Sequence, residues 1–141
     1  MAEPARAALY RAVNLRCINQ GGWDDRVYVR RAPAGVVRPY VVFQWQGGGE
    51  ANRLVKQDAT IVLLVKAVSD NLALGLMLAG QLSELLNDAG YFDDASDCLD
   101  GGAAWWIKTT TQEGDIDIDE LVDGEPVYHE GFLLRVQMER K

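Results

Sequence analysis

Two spacings of hydrophobic residues alternate along the chain, and each change of spacing marks an element. Within residues 4–18, Ala5, Ala8, Leu9, Ala12, Val13 and Cys17 recur every three or four positions, the signature of one helix face. Pro4 suits the first turn of that helix, and Gly21-Gly22 ends it. Residues 26–31, RVYVRR, change to a period of two, with Val27 and Val29 opposite Arg26, Tyr28 and Arg30, as in a half-buried strand. The next stretch holds Pro33, Gly35 and Pro39 and cannot continue any regular element. A strand is predicted over 40–46, with Tyr40, Val42 and Gln44 on one face and Val41, Phe43 and Trp45 on the other. Both faces are mostly apolar, so cover is expected on both sides, from a helix or from another subunit.

GGGEAN, 47–52, reads as a flexible tip, and QDATIVLLVKAV, 57–68, as the strongest strand. Ser69 or Asp70 is placed to cap a second helix running to about Asp88, with Gly90 closing it. Its stripe of Leu72, Leu76, Ala79, Leu82 and Leu86, widened by Leu78 and Leu85, is broad enough to cover a sheet. An acidic loop follows at 91–102, then a strand at 103–111 and an extended or turn segment, DIDIDELVDGEP, at 115–126. The last strand, 128–140, sets Phe132, Leu134, Val136 and Met138 against Leu133, Arg135 and Gln137. This order predicts one α+β domain over 1–141, a mainly antiparallel twisted sheet with two helices packed on one face. The expected core is Leu9, Val13, Val27, Val29, Leu63, Val65, Leu76, Ala79, Leu82, Phe132, Leu134 and Val136.

Charge narrows the partners. Fourteen Lys and Arg stand against 21 Asp and Glu in 141 residues, a net charge of -7, with most Arg in 1–66 and most acid in 84–125. That balance works against nonspecific attraction to DNA or anionic membranes. No apolar run reaches the ~20 residues needed to cross a bilayer, and MAEPARAALYR, with Glu3 inside it, does not fit a secretion signal. Cys17 and Cys98 suggest two reduced thiols, with Cys17 a small core residue.

Catalytic chemistry finds little support. His129 is the lone histidine and no serine elbow or phosphate-binding glycine loop accompanies it, so no enzyme is expected. Asp115, Asp117 and Asp119 invite a calcium reading, yet an EF-hand starting there would need glycine at Glu120 and glutamate at Pro126. The expectation is an extended segment showing acids to solvent with Ile116 and Ile118 turned inward, and no metal or cofactor. Asp93, Asp94, Asp97 and Asp100 read as a solvated loop. Trp105 and Trp106 are strand neighbours, so one belongs in the core and the other must find cover or stay exposed; Trp45 raises the same question.

The ordered segments ALYRAV, VYVRRAP, RPYVVFQW, IVLLVKAVSDNLALGLMLAGQLSELLND and DGEPVYHEGFLLRVQMER together resemble the tail terminator (tail completion) proteins of long-tailed bacteriophages and gene-transfer agents. The resemblance covers nearly the whole chain, through the order and spacing of its parts. It implies a hexameric ring that caps the tail tube, stops its polymerisation and joins the tail to the head connector. Partners would be the chain itself, the tail tube protein and the connector protein, with DNA passing through the lumen and no membrane. Localisation would be the head–tail junction of the virion, after assembly in the host cytoplasm. On this footing the candidate interaction residues are Arg31, Pro33, Pro39, Tyr40 and Trp45, with Asp115, Asp117 and Asp119 lining a DNA passage or facing outward. The prolines would stiffen a loop presented to a partner. A small-molecule-binding α+β barrel, its aromatics lining a pocket, is the alternative.

Overall fold

Two alternating segments rich in branched apolar residues form the centre of the sheet, pairing Leu63 with Leu134 and Val65 with Phe132. The computed structural model describes residues 3–50, 58–93 and 97–141. The elements are α1 (Ala5–Asn19), β1 (Val27–Val29), β2 (Tyr40–Glu50), β3 (Asp58–Ser69), α2 (Leu72–Leu86), β4 (Trp105–Val122) and β5 (Glu125–Arg140). A 3-10 turn, Tyr91–Asp93, follows α2. The sheet order is β1-β2-β3-β5-β4, with β1 parallel to β2 and the other pairs antiparallel. The fold is α+β. Among the described residues β1 and β4 end the sheet, which is open rather than closed into a barrel.

Both helices lie on one face. Ala5, Ala8, Leu9, Ala12, Val13 and Cys17 of α1 and Leu82 and Leu86 of α2 share a buried cluster with Phe43, Ile61, Leu63, Val65, Phe132, Leu134 and Val136. Burial holds the Cys17 thiol up at about 12, so it stays a neutral apolar group. The opposite face is covered within the chain: Val42, Val68 and Val127 pack with Tyr28 and Tyr40, whose rings meet edge-to-face at 5.7 Å. That cluster is why strand 40–45 is apolar on both sides.

Expectations change along the two hairpins. Residues 47–50 are not a tip, because β2 continues through them and pairs Gly47, Gly48 and Gly49 with Val62, Ile61 and Thr60 after a bulge at Trp45/Gly47. Gly48 has φ 82, and a Cβ there would lie 1.9 Å from the Thr60 oxygen, so only glycine fits. Residues 51 and 52 lie outside the described residues. Of the two readings for 115–126, the extended one holds for 115–122, the outer half of β4, which Asp123 and Gly124 at φ 52 and 80 join to β5 in a two-residue hairpin of type I′ character. This long hairpin forms an arm on which Ile118, expected inward, is 51% exposed and Leu121 is 75% exposed.

The loop after α2 is also more than solvated acid. The buried Arg16 donates to Asp97 Oδ2 at 3.0 Å and to its carbonyl at 2.7 Å, and Asp100 accepts from the Gly102 N–H at 2.8 Å. Asp93 Oδ2 accepts from Gly90 and Thr110 N–H groups at 2.9 and 3.1 Å, while Asn87 Oδ1 accepts from Gln112 N–H at 2.8 Å. Asp94 lies outside the described residues. Trp105 is fully buried, donating from Nε1 to the Glu3 carbonyl at 2.8 Å, and Trp106 stays 49% exposed.

The cap of α2 is Asn71, whose side chain accepts from Leu74 N–H at 3.0 Å, rather than Ser69 or Asp70. The buried line of α2 is Gly75, Leu82 and Leu86, not the line through Leu72 and Leu76, which are 43% and 55% exposed. Gly75 lets the helix approach β5, a role that hydrophobic periodicity does not register. Val29, at the end of a three-residue strand, is likewise 42% exposed, and Val27 and Ala79 are partly buried. The other predicted core residues are buried.

This rotation of α2 separates two leucines. Leu82→Ala is expected to cost about 2–5 kcal/mol, and Leu76→Ala less than about 0.5 kcal/mol. Denaturant midpoints measure both, and equal losses would overturn the assignment of the buried face.

Candidate functional site

The sequence-predicted interaction residues fall on opposite sides of the sheet. Arg31, Pro33, Pro39, Tyr40 and Trp45 lie on β2 or in the segment that joins β1 to it. Arg31 and Pro33 are exposed, and Pro39 follows a cis bond from Arg38. Tyr40 is half-buried, and burial raises its phenol pKa, opposed by the Arg38 charge and reinforced by Glu120 and Tyr28. Trp45 is 42% exposed, yet its Nε1 donates to the Gly48 carbonyl at 3.1 Å and the Arg6 guanidinium lies 4.9 Å from its ring centre. This side carries Arg26, Arg30, Arg31 and Arg38; Arg38 pairs with Asp70 at 2.5 Å and Asp24 and Asp25 precede β1, so its positive charge rests on Arg30 and Arg31.

Asp115, Asp117 and Asp119 lie on β4 at the far end of the strand order, all exposed. Together with Glu113, Glu120, Asp123 and Glu125 they make the arm strongly acidic. Strand alternation and register put the three aspartates on the helix-side face, opposite Phe132, Glu130 and Tyr128 of β5.

Sequence reasoning passed over Glu130, although it continues the inward phase of Phe132, Leu134 and Val136. It is only 2% exposed, under the first turn of α2, where a Cβ on Gly75 would stand 3.3 Å from Glu130 Cγ. Oxygens of Asp117, Asp119 and Glu130 lie within 4.8 Å of one another. Burial, then a hydrogen bond with Asp117, then the charges of Asp117 and Asp119 lift the Glu130 pKa to about 7. Two carboxyl groups can hydrogen-bond only if they share a proton. Glu130 Oε1 is buried with no hydrogen-bond partner. A groove of about 400 Å³ between α2 and β4 adjoins the cluster, lined in part by Ser83, Gln112, Asp115 and Phe132.

On the other face, His129 Nε2 lies 2.6 Å from Glu120 Oε1, with its Nδ1 buried and unpartnered. Lys66 is half-buried nearby in the register; burial lowers its pKa and Glu120 opposes the shift. The imidazole is held by a carboxylate, whereas activating a nucleophile would require a hydroxyl or thiol against it.

The Glu130 environment makes stability depend on pH. The folded carboxyl keeps its proton to about pH 7, while an unfolded glutamate releases it near 4.5. Its contribution is therefore fully present below 4.5 and is lost as pH rises through 7. Across that window wild type should lose stability relative to Glu130→Gln. Melting temperatures of the two proteins from pH 4.5 to 8 test this, and parallel curves would refute it.

No protein-family model matches the chain, and no curated protein matches it in sequence. Among solved structures, the fold is similar to a chain in the structure of the virion of a native gene transfer agent (GTA) particle. That likeness has a TM-score of 0.60 at 15% identity, covering 96% of this chain and 95% of that chain. At such identity the likeness is one of fold.

Proposed function

We propose that the chain is a structural protein of a phage or gene-transfer-agent virion, which caps the tail tube as a hexameric ring. In this reading the ring ends tube polymerisation and joins the tail to the head connector, without catalysis. The observation that carries it is the opposition of charge across one sheet: a basic side at β1–β2 and an acidic arm on β4–β5. A ring needs two different, mutually complementary surfaces on each subunit, because a head-to-tail contact closes by rotation. Opposite charges at opposite edges supply such a pair and fix its polarity.

The fold shared with a chain of a GTA virion and the order of motifs across the chain support the same reading. The number six comes from the family resemblance alone. Exposed apolar residues provide surface to cover during assembly. Among them are Leu72, Leu76 and Met77 on α2, whose residues 72–83 carry no charge, and Ile118 and Leu121 on the arm. Pro33 and Pro39 stiffen the segment beside the basic edge. The net charge of -7 limits adhesion of DNA moving through the lumen.

Charge exchange tests the contact. With purified tail tube protein, wild type should stop tube growth and leave a ring at the tube end in electron micrographs. Arg30→Glu with Arg31→Glu, and separately Asp115→Lys with Glu125→Lys, should each abolish capping while leaving the fold intact. All four changes in one chain should restore it, because each edge then meets an edge of opposite sign. Capping by either double variant, or an uncapped tube with wild type, would overturn the proposal.

A further inference from the structure

We propose that Asp117, Asp119 and Glu130 bind a hard divalent cation, Ca²⁺ in preference to Mg²⁺, at the junction of the β4–β5 arm with α2. The inference is independent of the assembly role. It starts from a geometry that sequence spacing hides. The aspartates are two residues apart on one strand and the glutamate is on its partner, so no single loop holds the ligands. Register brings them together: Asp117 stands opposite Glu130, and Asp119 opposite Tyr128.

Acidic residues on an exposed arm need no ion, and the buried member decides the matter. Glu130 is 2% exposed, and its Oε1 has no hydrogen-bond partner. A carboxylate oxygen left without a partner is costly in a buried site. A cation neutralises the cluster and ligates oxygens directly. The adjoining groove of about 400 Å³ has room for the waters that complete its shell.

Ligand type and span select the ion. All three donors are carboxylate oxygens, which suit Ca²⁺ and Mg²⁺ rather than softer metals. Two oxygens on opposite sides of Mg²⁺ lie about 4.2 Å apart, whereas about 5 Å spans Ca²⁺. The oxygens here lie within 4.8 Å of one another and come from two strands rather than from one octahedral cage, an irregular set that Ca²⁺ tolerates better than Mg²⁺ does. The bound ion would tie the exposed strand of the arm to the carboxylate held under Gly75.

Calorimetric titration of the full chain with CaCl2 and with MgCl2, in chelator-treated buffer and without tail tubes, tests this apart from any assembly reading. Saturable uptake of one Ca²⁺ is expected, with Mg²⁺ at least about tenfold weaker. Glu130→Gln should weaken Ca²⁺ binding at least about tenfold while melting cooperatively, and Asp123→Asn on the same arm should bind as wild type does. If Glu130→Gln does not fold, the exposed Asp119→Asn carries the same expectation. Hydrogen exchange at residues 117–119 should slow with Ca²⁺ in wild type and Asp123→Asn, and not in the cluster variants. Absence of uptake, wild-type affinity in the cluster variants, or Mg²⁺ binding as tight as Ca²⁺ would each overturn the proposal.

Discussion

The pairing of β3 with β5 governs everything around it. Its register sets Ala59, Ile61, Leu63, Val65 and Ala67 on the same face as Met138, Val136, Leu134, Phe132 and Glu130. A slip of one residue would turn that whole face to solvent. Gly131 guards this alignment, since a Cβ there would lie 1.9 Å from the Val65 oxygen and 2.6 Å from Lys66 Cα. The same register that buries Phe132 carries Glu130 inward, two residues further along. A carboxyl group under α2 is thus the continuation of the hydrophobic face into a region where the sheet outruns its apolar residues.

Sheet order then separates the charged surfaces. The Arg-rich segment belongs to the first strands of the chain and the acidic arm to the last, and β3 and β5 stand between them. An early basic half and a late acidic half in the sequence therefore become two sides of one layer. Sequence polarity is converted into spatial polarity by topology alone.

Much of this was legible beforehand. The α1 stripe, the cores of β3 and β5, the α+β class and the division of labour between Trp105 and Trp106 follow from period and β-propensity. The misreadings share a cause, which is reliance on side-chain hydrophobicity where backbone geometry decides. Gly75 and Gly48 have no side chain to count, yet one sets the rotation of α2 and the other the bulge in β2. The Asp123-Gly124 pair was a turn signal of the strongest short-range kind, obscured by the alternating acids before it. Glu130 was harder to find, because its partners Asp117 and Asp119 sit on another strand and only register joins them.

The side-chain caps along the outer edge of β4 have a consequence for behaviour at high concentration. Edge strands are templates on which foreign strands add, and the route to fibrous aggregates begins there. Asp93 and Asn87 occupy the Thr110 and Gln112 amides, so an incoming backbone finds those donors already taken. Further out, acidic side chains crowd the arm and repel a second copy of the same strand. Strand addition is thereby blocked at those positions of the edge, and like charge keeps a second copy of the arm away.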